Sequence, residues 1–279
     1  MKKGDLVVRK SHGKDVLFRI IDVLEDEKGR RNVVLKGINF RLLADSPIDD
    51  LEEVREDEAG NYVFSKRIEA LFEKVIKERT DRNRRYSRNT EGFGNPGKVL
   101  HLDGDAEYMK ICLEAYQKLQ IQAVGMVVAE GDQHKVIKSL LNEHSPDILV
   151  VTGHDSILNF SGDFKDVSNY RNSQNFIKAV QEARKYEPHM DDLVIFAGAC
   201  QSHFEALLKN GANFASSPHR ILIHCLDPVF VVEKIAYSRI NTVLSLKEIL
   251  ESTITGTKGV GGLETRGKYR MGMPKSPYD

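Results

Sequence analysis

Only three cysteines occur in the 279 residues, and one of them stands out by its neighbours. Cys200 follows the apolar run LVIFAGA and precedes QSHFEALLK. The small residues Ala197, Gly198 and Ala199 would let a substrate backbone approach, and the Cys200 N–H is placed to serve an oxyanion hole. A helix read over Gln201–Lys209 puts the thiol at a helix N-terminus, where the dipole favours thiolate. His154 holds the matching position after DILVVTG, between Gly153 and Asp155. An imidazole at one strand end and a thiol at another make a base and a nucleophile for acyl transfer. The base would take the thiol proton and later return it to the leaving amine. Plain readings compete: buried cysteine is a common small core residue, and a loop histidine is more often a surface hydrogen bonder. The position favours chemistry, because Cys200 lies at a strand end and not in its middle. His203, His219 and His224 are rival bases, whereas Cys112 and Cys225 read as core residues on an amphipathic helix and a buried strand.

Positioning this pair falls to the chain from Lys98 onward, where strand and helix patterns alternate. KVLHLD, AVGMVVAE, DILVVTG and LVIFAGA read as strands, with ANFASSP and RILIHCL as two shorter ones. Helices are expected over 106–120, 134–144, 169–186 and 201–209, and over DPVFVVEKIAYS, which Asp227 and Pro228 begin. Such alternation argues for βαβ units and a parallel sheet with right-handed crossovers. Ligands of open α/β sheets bind beyond the carboxyl ends of the strands, where both reactive side chains fall. The Gly- and Arg-rich tail, GTKGVGGLETRGKYRMGMPK, reads as looping over the sheet edge.

Two further segments precede this domain of residues 98–279. Residues 1–55 hold four or five short strand-like runs with turn chemistry at Ser11–Gly13, which suggests a small SH3-like β-barrel. Without an aromatic stacking platform, it reads as a docking or regulatory module and not a nucleic-acid binder. Residues 56–97 read as a connector. A helix over Tyr62–Arg85 carries the stripe Ile68, Leu71, Phe72, Val75 and Ile76, and then runs into a basic, turn-rich stretch. That stretch reads as a solvated linker or a protease-sensitive hinge.

Composition narrows the classes. Lys plus Arg number 41 and Asp plus Glu number 41, so no global field draws the chain to nucleic acid or to an anionic membrane. No apolar run approaches a membrane span, and MKKGDLVVRK has no signal-peptide apolar region. Three scattered cysteines make neither a disulfide framework nor a metal site, and no motif asks for a cofactor. These features read as an intracellular protein made in a reducing compartment.

Among cysteine hydrolases, glutamine amidotransferases carry the nucleophile in a Gly-x-Cys-x-Gly elbow with the base downstream. AGACQS has the first glycine, but Ser202 stands at the second. Caspase-like peptidases place the histidine upstream, at the end of one strand, and the cysteine at the end of the next, as here. More specifically, VLFRIIDV, RLLADS, KVLHLDGD, PDILVVTGHD, LVIFAGACQSHFEALLKNGANFASSP, CLDPV and GVGGLETRG…RMGMP resemble the YabG family of sporulation proteases over nearly the whole chain. The resemblance implies a cysteine endopeptidase with His154 and Cys200 as its catalytic pair. It further implies cleavage after Arg in spore coat and cortex-associated proteins, self-processing, and residence in the mother cell with association to the developing coat. Asp155 stands where the wider caspase-like group usually has Gly, so the second oxyanion donor would be the Asp155 N–H. Arginine specificity needs an acid in the pocket. Asp103 and Asp105 at the end of HLDGD are favoured, with Asp155, Asp163 and Asp166 as alternatives and helix capping as the plain reading of Asp105. Ser216 and Ser217 are expected to line the substrate groove through backbone hydrogen bonds. Self-cleavage candidates are Arg79, Arg82, Arg84, Arg85 and Arg88. The competing functions are a cysteine amidase using His203, His219 or His224, and a non-catalytic spore-structure adaptor.

Overall fold

Short β-branched runs punctuated by Gly, Ser and Asp favour hairpins in the first part of the chain. Strands β1 (Leu6–Arg9), β2 (Leu17–Glu25), β3 (Arg31–Gly37), β4 (Leu43–Pro47) and β5 (Leu51–Glu53) form one antiparallel sheet of order β4-β3-β2-β1-β5. One face carries the buried Val7, Phe18, Ile20, Val33 and Leu35, and Val8 packs with Leu17 and Val54 on the other. Gly13, at φ 64°, supplies the left-handed turn that sends the chain from β1 towards β2. The structure, a computed structural model, describes residues 1–25, 31–55, 57–58, 65–87, 93–276 and 278, with backbone alone at 65–67 and 82–87. Contacts divide the chain into two units, Met1–Leu71 and Phe72–Asp279.

Helix α1 (Ser65–Ser87) covers much of the expected connector helix. Phe72 and Val75 are buried, and the Phe72 ring lies 5.0 Å from that of Phe230. Strand β6 (Phe93–Asn95) follows and pairs with the C-terminal residues Arg270–Gly272.

The alternating region then appears in sequence as β7 (Val99–Asp103), α2 (Ala106–Lys118), β8 (Ala123–Val127), α3 (Glu130–His144), β9 (Ile148–Thr152), α4 (Ser173–Tyr186), β10 (Val194–Ala197), α5 (Phe204–Lys209) and β11 (Phe214–Ser216). After α6 (Asp227–Ala236) and α7 (Leu246–Glu251), strand β12 (Val260–Gly262) closes one edge and β13 (Arg270–Gly272) pairs with β6. The six-stranded sheet has the order β12-β11-β10-β9-β7-β8, parallel except for β12. The mostly parallel α/β sheet expected from the sequence is therefore present.

Burial explains its strand sequences. Every residue of β7, β9 and β10 is buried, as expected of central strands covered on both faces. On one face Leu100, Leu102, Leu149, Val151, Ile195 and Ala197 pack against α3, α4 and α5. On the other, α6 packs on β9 and α2. The crossover from β7 runs outward to β8, whereas β8 returns over β7 to β9. The connections thus reverse direction between β7 and β9, and their carboxyl ends form the topological switch point where such sheets bind ligands.

Two expected elements differ. The helix after Cys200 begins at Phe204 and not Gln201, because the His203 ring accepts the Ala206 N–H and caps it there. Residues 220–226 do not extend as a strand. They are irregular, with a turn at Cys225 and Leu226, and the His224 N–H donates to the Asp227 carboxylate.

Candidate active site

Strands β9 and β10 run side by side, with Ile148 opposite Val194 and Val151 opposite Ala197. His154 and Cys200 each lie three residues past the last of these pairs, so both follow adjacent parallel strands at matching positions. The Gly198 N–H still bonds the Val151 carbonyl at 3.0 Å, and then the chain turns sharply. Gly198 has φ +102° and Gln201 φ +59°. A Cβ at Gly198 would come within 2.8 Å of Leu207, so the turn needs glycine for both space and conformation.

Cys200 is fully buried. Its Sγ accepts the Ile223 N–H at 3.4 Å and lies 3.6 Å from the Ile223 carbonyl, to which the thiol donates. The main chain at Ile223 therefore lies against the sulfur. Because Gln201, Ser202 and His203 separate it from the six-residue α5, the thiol does not sit at a helix N-terminus and the expected dipole effect does not apply. The segment is anchored by Asp227, whose carboxylate accepts the N–H groups of His224, Ile254 and Thr255 and the Thr255 hydroxyl. Burial raises the Asp227 pKa to about 6 against these four donors.

His154 is held from three sides. Its Nε2 lies 3.0 Å from Asp105 Oδ2, its N–H donates to Glu130 Oε1 at 2.7 Å, and its carbonyl accepts from Asn172 Nδ2 at 2.8 Å. The Tyr108 ring stands edge-on to the imidazole at 5.8 Å between centroids. Glu130 reaches this place because Gly104 and Gly153 lack side chains: a Cβ would sit 2.2 or 2.4 Å from Glu130 Oε1. The sequence reading missed Glu130, which is 24 residues from its partner; the glycines at both strand ends were the available signal.

Asp103 is fully buried beneath the pair. It accepts the Asp105 N–H at 2.9 Å and the Thr152 hydroxyl at 2.8 Å. Thr152 Oγ1 contacts His101 Nε2 at 2.7 Å, and Tyr116 donates to His101 Nδ1 at 3.2 Å. A substrate guanidinium has no route to such a group, so the expectation that Asp103 lines an arginine pocket meets a filled polar core.

Asp155 is also turned inward. Its carboxylate accepts the N–H groups of Ser156 and Asn172 and the hydroxyls of Ser173 and Ser202 at 2.6–2.9 Å. Burial raises its pKa against these donors. Ser202 also accepts the Ala199 N–H, so one carboxylate ties the loop after β9 to the turn that carries Cys200. Ser217 acts from the other side, accepting the Gln201 N–H at 3.1 Å and donating to the Ile221 carbonyl at 2.7 Å. Ser216 is buried with its hydroxyl unpartnered, which leaves its expected place in a substrate groove without an exposed surface. Asp163 and Asp166 lie exposed on the loop after His154, and the Ser168 hydroxyl and N–H hold the Asp166 carboxyl below the usual range.

The rival bases are differently placed. His203 donates through Nε2 to the Lys165 carbonyl and caps α5 through Nδ1. His219 is exposed, and His224 is buried with Nδ1 accepting the Leu226 N–H. Cys112 Sγ donates to the Cys225 carbonyl at 3.4 Å, and both residues are buried as core groups, although Cys225 sits in a turn and not a strand. None of the three cysteines is in a disulfide. Among the described residues, no group of three or more His, Cys, Asp or Glu is set to hold a metal ion, and no helix is long and apolar enough to cross a membrane.

Of the self-cleavage candidates, Arg79 is buried within α1. Its Nη1 donates to the Leu119 carbonyl at 2.7 Å, and its guanidinium lies 4.1 Å from the Tyr237 ring centroid. The buried Glu233 carboxylate is 3.9 Å away. Proteolysis requires extended chain, so cutting after Arg79 would first unwind this part of the helix. Arg79→Ala should destabilise the unit by about 3 kcal/mol, as expected when a buried charge loses its partner. Thermal unfolding against wild type measures this, and an unchanged midpoint would refute it. Arg82, Arg84 and Arg85 lie on the described backbone near the end of α1, and Arg88 lies outside the described residues.

Comparison with known proteins identifies a family and a curated relative. The family model described as YabG peptidase U57 matches residues 2–274. The sporulation-specific protease YabG of Bacillus subtilis (strain 168) is 44% identical over 281 residues, which cover 97% of this chain and 97% of that protein.

Proposed function

We propose, since this chain belongs to the YabG peptidase U57 family and is thereby a sporulation protease, that it hydrolyses peptide bonds through Cys200 with His154 as its base. The observation that carries this reading is the delivery of an imidazole and a thiol by two adjacent parallel strand ends. The switch point lies beside them. On this reading, opening of residues 220–226 releases the thiol from Ile223. His154 takes its proton, and the sulfur attacks the substrate carbonyl while the Cys200 and Asp155 N–H groups receive the developing oxyanion. The imidazolium then protonates the leaving amine, and water, deprotonated by the same ring, hydrolyses the thioester. The order of histidine and cysteine supports a caspase-like second unit, and the antiparallel sheet of β1–β5 supports an SH3-like docking module.

Cleavage after arginine is the favoured specificity, in proteins of the spore coat and cortex within the mother cell. With Asp103 enclosed and Asp105 on the histidine, the exposed Asp163 and Asp166 become the leading partners for the guanidinium. Self-processing is proposed at Arg82, Arg84 and Arg85, near the end of α1 where a helix frays most readily, and at Arg88. The amidase reading loses ground because His203 is committed to capping α5 and the Lys165 carbonyl.

A cleavage-site profile on an unbiased peptide library tests the proposal. Wild type should cut after Arg, and the Cys200→Ala protein should yield no sites. Cleavage without a basic P1 residue would reject the specificity, and sites retained in the variant would reject the nucleophile.

A further inference from the structure

We propose that Asp105 is the positioning acid of His154 and not a substrate-binding acid, an inference that rests on the His154–Cys200 reading and deepens it. The two oxygens of Asp105 have separate partners. Oδ1 accepts the Glu107 N–H at 2.9 Å and caps α2, while Oδ2 meets His154 Nε2 at 3.0 Å. The side chains are 13% and 18% exposed, so the pair is partly shielded from water but remains beside the open end of the sheet.

This arrangement fixes the chemistry of the ring. A carboxylate at Nε2 favours the tautomer with its proton there and leaves the Nδ1 lone pair as the base for the thiol. Once Nδ1 is protonated, the same carboxylate stabilises the imidazolium until the proton passes to the leaving amine. Asp105 neither gains nor loses a proton in the cycle.

Asp105 is also poorly suited to follow a substrate. The hydrogen bond from its own N–H to Asp103 fixes its backbone, and Asp103 is held by Thr152, His101 and Tyr116 in turn. This chain of buried partners runs from α2 through β7 and β9 to the histidine. The Glu130 carboxylate fixes the backbone of His154 from the other side. Acid and ring are thus each locked by their own strand, as a preorganised pair requires.

Asp105→Asn separates this role from capping, because asparagine is an equally good helix N-cap. With fluorogenic peptides carrying Arg or Lys at P1, the full-length variant should keep its unfolding midpoint, its KM within about twofold and its Arg-over-Lys preference. Its kcat should fall about 10²-fold or more. A raised KM with altered P1 preference at unchanged kcat would instead make Asp105 a specificity group. Unchanged kinetics would make it only a cap, and either result overturns the proposal. The two readings fail separately: activity in Cys200→Ala refutes the pair, whereas an inert Cys200→Ala beside a fully active Asp105→Asn refutes the positioning role alone.

Discussion

Replacing Cys200 with alanine should abolish peptide hydrolysis, with kcat/KM falling about 10³-fold or more, because in the proposed mechanism its sulfur forms the acyl-enzyme. The substitution removes one buried sulfur and its contact with Ile223, so the folded state should survive it. Circular dichroism and the unfolding midpoint establish this before activity is interpreted. His154→Ala should produce a loss of similar order. Cys112→Ala and Cys225→Ala serve as controls, since both thiols lie in the core and should alter stability more than turnover. His203→Ala should loosen the start of α5 but leave the chemistry in place. If His203→Ala were inactive and His154→Ala active, the amidase arrangement would be the better description.

The second large effect is on stability. Asp155→Ala would remove the acceptor for two N–H groups and two hydroxyls, each within 2.9 Å of the carboxylate. Buried donors left without partners are costly, and a loss of about 3 kcal/mol or more is expected. Asp155→Asn should be much milder. Its Oδ1 can still serve the Ser156 and Asn172 N–H groups, while its Nδ2 can donate to Ser173 and Ser202 after their hydroxyls rotate. Urea unfolding of the two variants measures the difference. Equal destabilisation would show that the negative charge matters more than the number of acceptors.

The sequence revealed elements better than side-chain partners. The Val, Ile and Leu runs of β7, β9 and β10 identified themselves as doubly covered strands, and their order placed His154 and Cys200 at one sheet edge. The run RILIHCL misled because an apolar turn packed over a buried cysteine has the composition of a strand. The start of α5 was misjudged because Gln201 and Ser202 give no sign that His203 is the cap. Asp105 was legible as an acid near the pair, but its partner was not. Capping, guanidinium binding and histidine orientation all call for an aspartate at that point, and only distance separates them. Glu130 was invisible for a related reason, since its contacts cross from α3 to the loops after β7 and β9.

The contact between Ile223 and Cys200 bears on timing as well as geometry. A sulfur enclosed by a backbone N–H and carbonyl is hidden from oxidants and small alkylating reagents as well as from peptides. Its modification should therefore saturate with reagent concentration, at a ceiling set by how often residues 220–226 lift. The same opening frequency would limit every first encounter with substrate. If Cys200 is the nucleophile, one stretch of main chain sets the delay before the first turnover, as a slow fuse would.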